Sequence, residues 1–149
     1  MFVLDDVDKA IIRELQVDGR MAYARLAPKV GLSQAAVRQR VNRLLDRGVV
    51  QIDAISDPLS LGLNTQAMVG ITVTGDVRRV AAAVAAMEES EYVLITAGRY
   101  DVLAELICTD NDALLELVND RIRAIEGVAS TEVFSILKME KLTFSWGTG

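Results

Sequence analysis

Residues 33–48 have the sequence Ser-Gln-Ala-Ala-Val-Arg-Gln-Arg-Val-Asn-Arg-Leu-Leu-Asp-Arg-Gly, and the prediction for the first half of the chain starts from its pattern. The apolar residues Val37, Val41, Leu44 and Leu45 recur at the spacing of a helix with one buried side. The serine before this pattern is a good N-cap, and the glycine after it is a good residue to end a helix. The segment therefore predicts an amphipathic helix.

The exposed side of this predicted helix has residue types that suit the DNA major groove. Amide and guanidinium groups can read base edges through paired hydrogen bonds, small side chains permit close approach, and arginines can contact phosphates. An ordinary solvated helix face would have a similar composition, so this helix alone leaves both interpretations open. The candidate DNA-contacting residues are Ser33, Gln34, Ala35, Ala36, Arg38, Gln39, Arg40, Asn42 and Arg43.

Within that set, the position around the helix predicts different roles. Gln39 and Arg43 lie opposite the apolar stripe, and we expect them to read bases. Arg38 and Arg40 lie on the two flanks, and we expect them to contact phosphates.

Two helices are predicted before this one. The first runs from about residue 6 to residue 17, with a cap at Asp5 or Asp6. The second is shorter, from about residue 23 to residue 30, and Pro28 predicts that it is short or distorted. Because the basic helix begins only three residues after the second helix ends, the pair predicts a helix-turn-helix.

The charge distribution supports a nucleic-acid contact in the first half only. The chain carries a formal net charge of −5, but residues 1–55 contain nine basic and seven acidic side chains. Residues 56–149 contain seven basic and fourteen acidic side chains. This asymmetry indicates a basic contact helix on an otherwise acidic protein.

Composition limits the other function classes. The 149 residues are 51% hydrophobic and 25% charged, which is a globular balance. The chain has no histidine and a single cysteine, Cys108, so we expect neither a zinc site nor a disulfide framework. Histidine is the commonest general base in enzymes, and its absence makes most enzyme functions less favoured. No run of about 18 apolar residues and no secretory signal pattern occurs, so we expect a cytoplasmic protein without a membrane partner.

The second half predicts the element order βαββαβ. Residues 49–55 alternate well enough for a strand, either one arm of a wing or an exit from the first domain. Turn residues place a linker at residues 54–65. The later strands are predicted at residues 65–74, 92–97, 102–108 and 128–137, and the helices at residues 77–89 and 111–125.

The predicted fold class is therefore α+β. A winged helix-turn-helix domain occupies residues 1–53, and a βαββαβ, ferredoxin-like domain of the RAM or ACT type occupies residues 66–149. One face of such a sheet lacks helices, so we expect the chain to self-associate. Phe144 and Trp146 are candidates for packing at an interface.

This organisation resembles that of the Lrp/AsnC family of bacterial and archaeal transcriptional regulators. In the first half the resemblance rests on Leu4-Asp5-Asp6-Val7-Asp8, Asp18-Gly19-Arg20, Leu26-Ala27, Val30-Gly31-Leu32-Ser33 and Gly48-Val49-Val50. In the second half it rests on Gly98-Arg99-Tyr100-Asp101, which is similar to the family's Gly-x-Tyr/Phe-Asp turn, and on Gly127-Val128. The chain departs from the family pattern at Ala22, where a Ser or Thr cap is usual, and at Pro28, where a charged helix former is usual.

The resemblance implies a dimer built through the second domain, often assembled into tetramers or octamers. It also implies an amino acid or related small-molecule effector, held between subunits, and no other cofactor. The effector-facing positions that it implies are Gly98, Arg99, Tyr100, Asp101, Asn111, Phe134, Ser135 and Ile136.

The residues of the 98–101 turn permit two interpretations. Glycine at position 98 predicts a positive φ or a close backbone approach, and Asp101 could accept a hydrogen bond from the α-ammonium group of a ligand. Alternatively, Asp101 only caps a hairpin.

The sequence therefore predicts a DNA-binding transcriptional regulator whose assembly and DNA affinity respond to an effector. Two alternatives remain: an architectural DNA-binding protein whose second domain only oligomerises, and a small ferredoxin-like enzyme with a fused helical domain.

Overall fold

The structure is a computed structural model that describes residues 3–143 and 147–148. The chain divides into one unit of Met1–Ile55 with Leu142–Gly149 and a second unit of Ser56–Lys141. The predicted packing of Phe144 and Trp146 falls outside the described residues.

The first unit contains three helices, α1 (Asp6–Val17), α2 (Tyr23–Lys29) and α3 (Gln34–Asp46). Helix α1 begins with a capping box, in which Asp5 and Asp8 each accept a hydrogen bond from the other's backbone N–H. The buried side chains of the three helices form one core with Met21, which lies between α1 and α2; the helical members are Ile11, Leu15, Leu26, Ala27, Val37, Val41 and Leu44.

The connection between α2 and α3 confirms the predicted helix-turn-helix. Helix α2 is only seven residues long, contains Pro28 and has no side-chain cap at Ala22. Gly31 has a φ of 69°, a conformation that glycine adopts without steric cost. Ser33 then caps α3, because its Oγ accepts the backbone N–H of Ala36 at 3.2 Å.

The strand predicted at residues 49–55 is absent, and the described residues of the first unit therefore contain no wing. An alternating sequence favours extended backbone, but a β-strand also needs a neighbouring strand to accept and donate its hydrogen bonds. The segment instead contacts the helical core, where Val50 is partly buried and Ile52 lies beside Gly19.

The second unit has the predicted order βαββαβ. Its elements are β1 (Thr65–Val73), α4 (Val77–Ala85), β2 (Ser90–Ile95), β3 (Val102–Cys108), α5 (Asn111–Glu116) and β4 (Val128–Ser135). The strands form one antiparallel sheet in the order β2-β3-β1-β4. A short 3₁₀ helix, Leu59–Leu61, lies within the predicted linker.

Alternation along the central strands gives the sheet two different faces. Ala67, Val69 and Ile71 of β1 are completely buried. They pack in one core with buried residues of β3, α4 and α5, namely Val80, Ala81, Val84, Val102, Ala104, Leu106, Cys108 and Leu114. The residues that alternate with them, Met68, Gly70 and Thr72, point to the other face, which none of the described helices covers.

Several predicted element ends differ from the structure. Helix α4 ends at Ala85 and not at residue 89, and beyond its end the single O–H of Ser90 is shared between the carbonyls of Val84 and Met87. Strand β2 therefore begins at Ser90, two residues earlier than predicted. Strand β4 ends at Ser135, two residues before the predicted end.

Helix α5 also differs from the prediction, because it continues into a π-helical turn, Leu117–Ile122. The wider turn keeps Leu117, Val118 and Ile122 in the core.

We predict that Ser90→Ala destabilises the second unit. The substitution removes one hydroxyl donor shared by two carbonyls, each of which keeps a backbone N–H donor, and this corresponds to about 1 kcal/mol. The melting temperature, followed by circular dichroism, should fall by about 2–6 °C. Ser56→Ala, at an exposed position outside any helix or strand, is the control. Equal melting temperatures for the two variants would show that this hydroxyl does not stabilise the second unit.

Candidate functional sites

The outer face of α3 is a continuous exposed surface. Gln34, Ala35, Arg38, Gln39 and Asn42 line one shallow depression on it. The opposite side of the same helix is fully buried in the core, so these side chains cannot turn inward without breaking the fold. We call these five residues the α3 outer face.

Arg38 has a contact that the sequence analysis missed. Its guanidinium carbon lies 5.9 Å from the ring centroid of Tyr23, the first residue of α2. This distance is within the range of a cation–π interaction, which holds a cation over an aromatic ring. The side chain of Arg38 is therefore oriented by the neighbouring helix while it remains on the exposed surface.

Arg40 and Arg43 contact the start of α1. Arg40 Nη1 lies 2.7 Å from Asp8 Oδ1 and 2.7 Å from Asp5 Oδ2. Arg43 Nη2 lies 2.9 Å from both carboxylate oxygens of Asp8. The side chain of Asp8 is only 1% exposed, so its charge is neutralised by these arginines and not by water.

The pKa values follow these contacts. The hydrogen bonds to Asp5 and Asp8 raise the pKa of Arg40, so it is a permanent cation. The backbone N–H of Asp8, together with Arg40, lowers the pKa of Asp5. Sequence position placed Arg43 opposite the buried stripe, but its long side chain reaches sideways to the buried carboxylate. The DNA contacts expected of Arg40 and Arg43 stay predictions, and both guanidinium groups bind carboxylates at the start of α1.

Tyr100 lies against the uncovered face of the sheet, over Gly70 of β1. A Cβ atom built on Gly70 would lie 2.7 Å from the ring of Tyr100, so only glycine leaves room for it. The phenol O–H donates to Glu132 of β4, and the ring meets Phe134 edge to face with centroids 6.0 Å apart.

Arg99 completes this arrangement. Its guanidinium carbon lies 5.5 Å from the Tyr100 ring centroid, and Nη2 lies 3.3 Å from Glu132 Oε2. We call Gly70, Arg99, Tyr100, Glu132 and Phe134 the sheet-face cluster. It places a cation, a carboxylate and two aromatic rings together on an uncovered surface.

The structure gives Asp101 an anchoring role. Its Oδ2 accepts the backbone N–H of Val73 at 2.7 Å, and its own N–H donates to the carbonyl of Ile71 at 2.9 Å. The turn is closed by Thr96, whose hydroxyl donates to the carbonyl of Tyr100. The prediction for Gly98 is wrong, because its φ is not positive and a Cβ there would meet nothing within 4 Å.

The other implied effector positions lie towards the opposite end of β1. Asn111 accepts a hydrogen bond from Thr65, the first residue of β1, and Ser135 pairs with Ala67. Ile136 donates its backbone N–H to the carbonyl of Gln66. Asp101, by contrast, contacts β1 at Ile71, about 20 Å from Thr65 at the rise of a β-strand. One chain therefore does not bring Asn111 close to the 98–101 turn, whereas Phe134, which precedes Ser135, contacts Tyr100.

Sequence reasoning missed Gly70 and Glu132 in the sheet-face cluster. A glycine in the middle of a strand is a known sign of close approach by another group, and this signal was present at Gly70. For Glu132 there was no signal, since its role depends on a partner 32 residues away.

Within residues 3–143 and 147–148, no group of three histidine, cysteine or acidic side chains is placed to hold a metal ion. In the same part of the chain, no helix has both the length and the apolar character needed to span a bilayer.

Comparisons with known proteins match both units. The profile of the AsnC-type helix-turn-helix domain matches residues 4–45, and that of the Lrp/AsnC ligand binding domain matches residues 66–146. The HTH-type transcriptional regulator FL11 of Pyrococcus furiosus is 34% identical over 143 residues, covering 95% of this chain and 94% of that protein.

Solved structures agree with these matches. The leucine response regulatory protein of Mycobacterium tuberculosis superposes with a TM-score of 0.87 at 33% identity, covering 97% of this chain and 99% of that one. A transcriptional regulator of Neisseria meningitidis, solved as a complex with L-Met, gives a TM-score of 0.86 at 30% identity, covering 97% and 96%.

We predict that Glu132→Gln lowers the pKa of Tyr100. In the unmodified protein the hydrogen bond to Glu132 raises the pKa of this phenol, because ionisation would place a phenolate beside a carboxylate. Near-ultraviolet absorbance titration measures the change, and Tyr100→Phe identifies the signal. Glu105→Gln, which removes a carboxylate paired with Gln66 on the same sheet face, should leave it unchanged. An unaltered Tyr100 titration in Glu132→Gln contradicts the contact.

Proposed function

Because this chain belongs to the Lrp/AsnC family of transcriptional regulators, we propose that it binds DNA through the α3 outer face and that an amino acid modulates this binding. The observation that carries the proposal is the exposed surface of amide, small and basic side chains on α3, backed by a fully buried stripe. A helix held in this way can present its side chains to the major groove without reorganising its own core.

The proposed DNA contacts divide by side-chain type on α3. Gln39 and Asn42 supply the amides that suit adenine edges, and Ala35 permits close approach. Arg38, held over Tyr23, is the phosphate contact. Ser33 and Ala36 fix the first turn through the N-cap, so that backbone N–H groups at the helix start also face the phosphates.

The sheet-face cluster is the effector site that we propose in the second unit. A free amino acid carries one carboxylate and one ammonium group. Arg99 and Glu132 supply the opposite charges within hydrogen-bonding distance of each other, beside the rings of Tyr100 and Phe134. The Neisseria relative was solved with L-Met, which supports an amino acid as the effector. We assign no metal or other cofactor.

A second copy of the chain would complete this site. Asn111 is bonded to Thr65, at the end of β1 away from the contact of Asp101 with Ile71, so a ligand that contacts both Asn111 and the 98–101 turn needs residues from two copies. The uncovered sheet face, with Phe134 and Tyr92 about half exposed, also favours association. We propose a dimer that associates through the second unit and can form tetramers or octamers, in the cytoplasm.

The two alternative functions differ from this proposal in one property each. An architectural DNA-binding protein would bind DNA without responding to any small molecule. An enzyme would need a catalytic constellation, and the family comparisons favour neither alternative.

We predict that two substitutions on α3 have different effects on DNA binding. Arg38→Ala should weaken binding to all sequences and reduce the slope of log affinity against log salt by about 1. Gln39→Ala should lose about 1–3 kcal/mol of discrimination between a selected duplex and its shuffled form. Arg78→Ala removes an exposed positive charge on α4 and should change neither quantity. Unchanged gel shifts in both α3 variants would reject the proposed surface.

We predict that an amino acid raises the melting temperature of the unmodified protein. A ligand at 100 times its Kd stabilises the folded state by about 2.7 kcal/mol. Glu132→Gln and Arg99→Gln should abolish the response, whereas Glu126→Gln, an exposed acid paired with Arg79, should retain it. If no amino acid shifts the unmodified protein, the effector class is wrong.

The same thermal screen tests Asp101. Asp101→Asn keeps an acceptor for the N–H of Val73 but removes the charge. A retained response means that Asp101 anchors the turn, and a lost response with normal apo stability means that it contacts the effector.

A further inference from the structure

Asp8 is the one buried charged side chain among the described residues. A carboxylate is costly to remove from water unless cations and hydrogen bonds replace its hydration. Here both cations come from α3, since Arg40 and Arg43 approach it within 2.9 Å. Asp8 also accepts the N–H of Asp5 at the start of α1. The carboxylate therefore connects the first turn of α1 to the DNA-binding helix.

We propose that Asp8 is a positioning residue for DNA recognition, which fixes α3 on α1 and keeps Arg40 and Arg43 out of the phosphate contacts. This inference rests on the proposed function of the α3 outer face. It concerns two arginines that sequence position alone would count among the DNA contacts.

The geometry explains why one carboxylate can orient a whole helix. Arg40 and Arg43 are three residues apart, so they lie on neighbouring turns of α3. Arg43 Nη2 is equidistant from the two oxygens of Asp8, while Arg40 Nη1 bridges Asp8 and Asp5. Two such anchors on adjacent turns restrict both rotation of α3 about its axis and sliding along it.

The same contacts predict how many cations reach DNA. A guanidinium that binds a DNA phosphate releases counterions from DNA, whereas a guanidinium that is paired with Asp8 releases fewer. The side chains of Arg40 and Arg43 are 26% and 44% exposed, so they are available to phosphates if Asp8 no longer holds them. Loss of the Asp8 charge should therefore increase nonspecific binding while it loosens base recognition.

The experiment compares Asp8→Asn with Asp6→Asn in the full chain. Both variants lose one negative charge from the first turn of α1, but Asp6 is exposed on that turn and Asp8 is buried. The probes are a duplex selected from a random pool by the unmodified protein and a shuffled duplex of the same composition, titrated over a range of salt concentrations. Circular dichroism confirms that each variant is folded.

In Asp8→Asn, we expect the affinity ratio between selected and shuffled DNA to fall about tenfold. We also expect the salt slope on shuffled DNA to become steeper by about one for each arginine released. Asp6→Asn should keep both values. An Asp8→Asn protein with the same discrimination and salt slope as Asp6→Asn would overturn the proposal.

A second pair of variants covers the case in which Asp8→Asn does not fold. Arg43→Gln and Arg38→Gln each remove one positive charge from α3, and Arg43→Gln leaves Asp8 paired with Arg40. We expect Arg38→Gln to make the salt slope shallower, and Arg43→Gln to reduce discrimination with the slope unchanged. If Arg43→Gln makes the slope as shallow as Arg38→Gln does, Arg43 contacts phosphate and the inference fails. If Arg38→Gln has no effect, the proposed DNA surface itself fails.

Discussion

The second unit depends on the alternation of side chains along β1. Because Ala67, Val69 and Ile71 enter the core under the helices, the residues between them must lie on the other face. This constraint places Gly70 under Tyr100 and brings the 98–101 turn against β4. A shift of one residue in the β1 register would bury the residues that now lie on the uncovered face, and it would remove the sheet-face cluster. The core of this unit and its candidate effector site are therefore specified by the same strand.

The first unit couples stability to function in a similar way. Val37, Val41 and Leu44 occupy the core, and the side chains between them form the α3 outer face. The buried stripe sets which residues face outward, while Asp8 and Tyr23 orient the arginines at the edges of that surface. The helix-turn-helix alone would place α3 at the surface of the unit. The contacts with Asp8 and Tyr23 determine which arginine side chains of α3 are available to contact DNA.

Local signals in the sequence predicted most of the fold. The capping residues Asp5 and Ser33 and the periodic apolar stripes located α1 and α3, and alternation located β1 and β3 within a residue. The prediction failed at residues 49–55, because strand formation depends on a partner that a local pattern does not reveal. The candidate sites were harder to predict from the sequence for the same reason. The contacts of Arg43 with Asp8 and of Tyr100 with Gly70 join residues that are distant in sequence. Gly98 carried a typical turn signal, yet the turn is held by hydrogen bonds of Thr96 and Asp101.

We propose that DNA binding by the first unit and effector binding by the second are coupled. Coupling between binding sites is reciprocal, so an effector that changes DNA affinity must have its own affinity changed by DNA to the same extent. The most direct test measures the affinity of the full chain for a selected duplex with and without a saturating amino acid, and the affinity for that amino acid with and without the duplex. The account predicts equal changes of about 5–150-fold in both measurements. A DNA affinity that stays the same when the amino acid is shown to be bound would contradict it.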